Sequence, residues 1–128
     1  MPPIDKMLRA FEQGDLEKLD SLVCGDLDLR IDHYRDDEAD VDWQHSSDRA
    51  GFHTLLGRLA SDVFPKGTKI LGLETQELGD GWTLSKFTQQ FYYQVRQREV
   101  HSQTWILAHQ SDGRVDYFRE TVGPVVNI

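Results

Sequence analysis

At 128 residues, 38% hydrophobic and 28% charged, the chain has the make-up of a soluble globular protein, and residues 1–128 are expected to fold as one domain. Its formal net charge of −8 leaves little to neutralise phosphates, which argues against nucleic acid or an anionic membrane as a partner. No apolar run could span a bilayer, the opening MPPIDKMLRAFEQGD lacks a signal peptide's apolar stretch, and the lone Cys24 excludes an intrachain disulfide or a cysteine metal cluster; a cytoplasmic setting is the resulting expectation.

Residues 4–23 have a helical period. Met7, Leu8 and Phe11 form one stripe, Leu16, Leu19, Leu22 and Val23 a second, and Gly14-Asp15 separates them. The pattern predicts two helices meeting at Gly14, the second capped by Asp15 and stopped by Gly25-Asp26. Residues 27–34 (LDLRIDHY) alternate as a strand does, with Leu29, Ile31 and His33 on one face and Asp28, Arg30, Asp32 and Tyr34 on the other. Residues 35–40 (RDDEAD) read as a solvated acidic loop, and Val41, Trp43 and His45 as a short strand. Ser46 or Ser47 then caps a helix from Asp48 to about Val63, buried along Phe52, Leu55, Leu56, Leu59 and Val63 and ended by Pro65-Lys66-Gly67. Residues 68–77 form a strand in which Ile70, Gly72 and Glu74 alternate against Leu71, Leu73 and Thr75, and residues 78–81 (LGDG) turn it back.

From Thr83 to Glu120 the chain is dense in Thr, Tyr, Phe, Val, Ile and Trp, the composition of paired strands. Residues 83–95 turn near Arg96-Gln97 into 98–109, and Ser111-Asp112-Gly113 turns these into 114–121. A two-residue first turn would set Phe91 opposite Ser102, Gln89 opposite Thr104 and Phe87 opposite Ile106. A three-residue second turn would set Ile106 opposite Phe118 and Thr104 opposite Glu120. One face then carries Phe87, Gln89, Phe91, Ser102, Thr104, Ile106, Phe118 and Glu120; the other carries Thr88, Gln90, Tyr92, His101, Gln103, Trp105, Leu107, Tyr117 and Arg119. Neither is plainly polar, so both should cover something. Gly123-Pro124 ends the last strand before a short tail.

Helices first and a meander last predict an α+β fold, a curved sheet closed on one side by helices. Residues 11–19 (FEQGDLEKL), 28–33 (DLRIDH) and 112–115 (DGRV) with Phe118-Arg119-Glu120 resemble, in order and spacing, the helix–Gly-Asp–helix opening, first strand and closing strand of the nuclear transport factor 2-like superfamily, in particular its SnoaL-like polyketide cyclase and ketosteroid isomerase type. The resemblance implies a cone-shaped, cystatin-like fold with the N-terminal helices on the concave face of the sheet, and a mouth between the two. Such folds serve isomerases, cyclases, dehydratases, epoxide hydrolases and non-catalytic binding domains, so the site must be argued from residues.

Glu120 stands where several such enzymes carry a pocket carboxylate. Among Phe87, Phe91, Ile106 and Phe118 its ionisation would be costly and its pKa raised, which suits a general acid or base; the structural alternative is an ion pair with a nearby Arg. At the end of the first strand either His33 or Asp32 could reach the mouth, the place where the resemblance implies an Asp in the isomerases; His33 could equally be a satisfied structural histidine. Gln89, Thr104 and Trp43 are candidate pocket residues, and His53 follows Phe52 and could face in. The five His are widely spaced with no helical ligand pair, so no metal and no cofactor is expected. The Arg-x-Asp of limonene-type epoxide hydrolases would fall on Phe87 and Gln89, which removes that chemistry. The ligand expected is a small, mostly apolar organic molecule, handled by cofactor-free isomerisation, cyclisation or dehydration; the alternative is a non-catalytic dimeric module that binds a ligand or a partner chain. Tyr92, Trp105, Leu107 and Tyr117 make the second face a candidate interface, and the resemblance implies a homodimer through it.

Overall fold

The computed structural model describes residues 1–35 and 43–128. In order these form α1 (Pro3–Gln13), α2 (Leu16–Leu22), β1 (Val23–His33), β2 (His45–Ser46), α3 (Arg49–Arg58), a π-helical turn (Leu59–Val63), β3 (Thr68–Gly79), β4 (Trp82–Tyr93), β5 (Arg98–Ser111), β6 (Arg114–Val122) and β7 (Val126–Asn127). The fold is α+β. Three helices lie with a curved, mostly antiparallel sheet ordered β2-β1-β6-β5-β4-β3, with β7 added beside β5 and β1 parallel to β6.

The helix junction follows from local chemistry. Gly14 takes the left-handed conformation at φ 70°, donating back to Ala10 and Phe11, and Asp15 caps α2 by accepting from the Lys18 N–H at 3.1 Å. Gly25-Asp26 does not stop α2. The helix ends at Leu22, and Val23, Cys24 and Gly25 already run as strand, because Val23 and Leu27 are drawn into the core beside β6. The cap of α3 is Asp48, not Ser46 or Ser47, with its carboxylate 2.7 Å from the Gly51 N–H. The acidic residues 36–40 and Val41 lie outside the described residues; of the expected short strand, only His45 is in β2.

α1 is fastened across the sheet by an edge contact. Arg9 donates to the Ile70 carbonyl at 2.9 Å while Glu12 accepts the Ile70 N–H at 2.7 Å, satisfying both outward backbone groups of that residue of β3. The alternation expected along β3 breaks at Gly72, which bulges at φ 64°. Thr68 and Ile70 face in before the bulge, and Leu73 and Thr75 after it, so Gly72 and Glu74 do not share the Ile70 face.

Both long hairpins keep the expected faces but are offset by two residues. The first turn spans four residues between Tyr93 and Arg98, which sets Phe91 opposite Val100, Gln89 opposite Ser102 and Phe87 opposite Thr104. The second is a two-residue Asp112-Gly113 turn with both φ positive (55° and 78°), the twist-matched hairpin form. A bulge after His109 then brings Ile106 opposite Glu120 and Thr104 opposite Val122.

Candidate functional site

The pairings define rows across the inner face. Leu29, Phe118 and Ala108 make one row; Ile31, Glu120, Ile106 and Ser85 the next; His33, Val122, Thr104 and Phe87 the third; Ser102, Gln89 and Ile70 the fourth. A cavity of about 260 Å³ lies between this face, α1 and α3. Its floor takes Leu29, Ile31 and His33 from β1, Gln89, Phe91 and Tyr93 from β4, and Phe118, Glu120 and Val122 from β6. The helices contribute Met7, Leu8 and Phe11 on one side and Phe52, Leu55 and Leu56 on the other. The more exposed lining residues, Arg58, Asp62 and Val95, mark the mouth.

Glu120 is the unusual group. Its cross-strand neighbours are Ile31 and Ile106 and its same-face neighbours along β6 are Phe118 and Val122, all four buried and apolar. Glu120 is half-buried and lines the cavity, with protein packed densely around it. Burial alone pushes its pKa up from 4.5 to about 7. It pairs with no Arg among the described residues; Arg119 turns the other way to hold Asp28 at 3.1 Å.

His33 also lines the cavity, one row and one strand from Glu120. Its Nε2 lies 2.7 Å from Gln44 Oε1. Asp32 points from the opposite face of β1, its carboxylate 2.9 Å from the Arg30 Nε, so it cannot serve the cavity in place of His33. Trp43 is at the mouth with the Arg58 guanidinium 4.4 Å from its ring centre. His53 does not face in; it is exposed, with Nε2 2.6 Å from Asp20. Phe87, Thr104 and Ile106 share the inner face but are fully buried in its packing and do not line the cavity. Nor do Gln89 and Glu120 form one cluster. With β5 between them, they are offset by the four residues from Ser102 to Ile106, about 13 Å along the strand.

The sequence reading missed Gln44, buried and directed at His33, because it lies in a polar stretch without periodicity. It also missed Phe64 and Tyr93, which complete an edge-to-face run, Phe11–Phe64–Phe91–Tyr93, with ring centres 5.5, 5.6 and 5.6 Å apart. Among the described residues, no three of His, Cys, Asp and Glu are grouped to hold a metal ion, and no helix is long and apolar enough to cross a membrane.

No family model and no curated protein matches the sequence. Solved structures do match. Bal32a, from a soil-derived mobile gene cassette, superposes with a TM-score of 0.75 at 18% identity, over 94% of this chain and 86% of its own. An NTF2-like protein from Burkholderia xenovorans LB400 gives 0.70 at 16%, over 94% and 86%. The chain has the NTF2-like fold. IdmH of Streptomyces antibioticus, a candidate polyketide cyclase, matches the same NTF2-like frame with a TM-score of 0.72 at 17% identity, over 94% of this chain and 88% of that one. These likenesses concern the backbone. The polar side chains at the cavity of this chain include Glu120, His33, Gln44 and Gln89, with Arg58 and Asp62 at the mouth.

Proposed function

We propose that the protein binds a small, mostly apolar organic molecule in this cavity and moves a proton on it, as an isomerase, cyclase or dehydratase would, without a cofactor. The observation that carries the reading is the Glu120 carboxyl, which lines an apolar cavity with a pKa near 7. A base poised near the working pH is present in both forms and can take a proton from a carbon acid and return it elsewhere. His33, held by Gln44, would hydrogen-bond the oxygen on which charge develops, and the apolar walls would exclude water. The family resemblance would put the Arg and Asp of the limonene-type epoxide hydrolases at Phe87 and Gln89, which carry no charge, so that chemistry is not proposed.

The test is α-proton exchange of neutral two-ring ketones such as β-tetralone in D₂O, followed by proton NMR. The unmodified protein should accelerate exchange with an inflection near pH 7, and Glu120→Gln should lose on the order of a hundredfold or more while remaining folded. Equal exchange by both proteins would end the catalytic reading.

A second reading, a non-catalytic dimeric module, is favoured by the outer face of the sheet. There Trp82, Leu84, Trp105 and Leu107 are 36–40% exposed and contiguous, since Leu84 pairs with Leu107 and Lys86 with Trp105. A second copy of the chain would cover them. Tyr117 adjoins this patch beneath Arg119, whereas Tyr92 sits at the far end of β4 under Lys66 and belongs to it less directly.

A further inference from the structure

The cavity has two unlike ends. On the β1–β6 side sit Glu120 and His33; on the β4 side stands the run Phe11–Phe64–Phe91–Tyr93, whose successive rings meet at 87°, 70° and 67°. Rings fixed edge to face in this way present both an electron-rich face and a positive edge along one wall. Leu29, Ile31, Leu55 and Leu56 add aliphatic lining. Volume sets the size. An apolar cavity of about 150 Å³ takes a benzene ring, so one of about 260 Å³ takes one or two rings. Charge sets the rest. Arg58 is the only Lys or Arg among the described lining residues, and it lies at the mouth, engaged by Trp43 at 4.4 Å and by Asp62 at 3.6 Å. An anionic group delivered to the inner end would meet the Glu120 carboxyl with no cation to offset its desolvation.

From this arrangement we infer that the ligand is a neutral, flat, one- or two-ring aromatic or conjugated molecule carrying a single carbonyl or hydroxyl. Its ring lies on the Phe64–Phe91–Tyr93 wall. Four-ring skeletons and carboxylates are excluded, the first by volume and the second by charge. The inference deepens the proposed function and rests on the cavity being the ligand site, but it concerns binding alone and does not need turnover.

Calorimetric titration of the unmodified protein with four probes tests it: β-naphthol, its saturated counterpart decalol, the anion β-naphthoate, and the four-ring estradiol. β-Naphthol should bind about tenfold more tightly than decalol, the equivalent of ~1.4 kcal/mol, and at least tenfold more tightly than β-naphthoate, with estradiol not binding. Phe91→Leu should erase the preference for β-naphthol over decalol while decalol still binds. If that variant unfolds, Tyr93→Leu reads the same preference. Decalol binding as tightly as β-naphthol, or either β-naphthoate or estradiol binding more tightly, overturns the inference even where ketone exchange is observed. The expected ranking without any ketone exchange supports it and leaves the catalytic reading to fall by itself.

Discussion

Replacing Glu120 with glutamine is expected to stabilise the folded protein above neutral pH and to leave its stability in acid unchanged apart from a constant offset. In the fold the carboxyl's pKa rises from 4.5 to about 7, through burial. At about 1.36 kcal/mol per tenfold change in proton affinity, that rise corresponds to ~3 kcal/mol. Proton counting fixes the direction. Below pH 4.5 the folded and unfolded chains both carry the proton. Between 4.5 and about 7 the folded chain keeps a proton that the unfolded chain has released, so stability falls as pH rises. Above 7 both forms are ionised, and the fold bears the full cost of a carboxylate among Ile31, Ile106, Phe118 and Val122. Glutamine at this position has nothing to ionise, and other titrating groups are common to both proteins. Urea unfolding of the two proteins, compared from about pH 4.5 to about pH 8.5, should therefore show a stability difference that opens by ~3 kcal/mol across this range in favour of Glu120→Gln. A difference that stays flat would refute the reasoning, because it would mean that Glu120 ionises in the fold as it does in water.

Other outcomes follow from the geometry. Asp48→Ala removes the carboxylate that accepts the Gly51 N–H at 2.7 Å and should cost about 1 kcal/mol in urea unfolding. Gly72→Ala meets no neighbouring atom within 4 Å but must hold φ 64°, so about 1–2 kcal/mol of purely backbone cost is expected, measured in the same way. Trp105→Asp places a charge in the middle of the exposed apolar patch on the outer face; sedimentation should show the wild-type chain as a dimer and this variant as a monomer of unchanged circular dichroism.

The parts of the fold legible in the sequence were those governed by periodicity. Alternation along residues 83–121 fixed which side chains share a face, because a two-residue offset moves every pairing without changing parity. The pairings themselves depended on turn length, and neither the four-residue turn before Arg98 nor the bulge after His109 leaves a mark in hydrophobic pattern. The same limit explains β3: a glycine at position 72 is compatible with straight strand or bulge, and only the packing of Ile70 against Gln89 and of Thr75 against Ser85 selects the bulge. At the site, Glu120 was legible as an inner-face residue because it lies in a strand whose apolar neighbours declare that face. Asp32 could not be separated from His33 until Arg30 was seen to hold it on the outer side. His53 was misassigned because its orientation depends on Asp20, distant in sequence and brought near only by the docking of α3 on α2 and β1. Gln44 and the Phe64–Tyr93 wall depend on tertiary contacts that no local signal announces.

Carbon NMR titration of the Glu120 side-chain carboxyl, its resonance assigned by its loss in Glu120→Gln, tests the account at its centre. A midpoint near pH 7 is the result expected of a carboxyl enclosed in this apolar cavity. A midpoint near the ordinary 4.5 would contradict it, since the group would then be in contact with bulk water and could not serve the chemistry assigned to it.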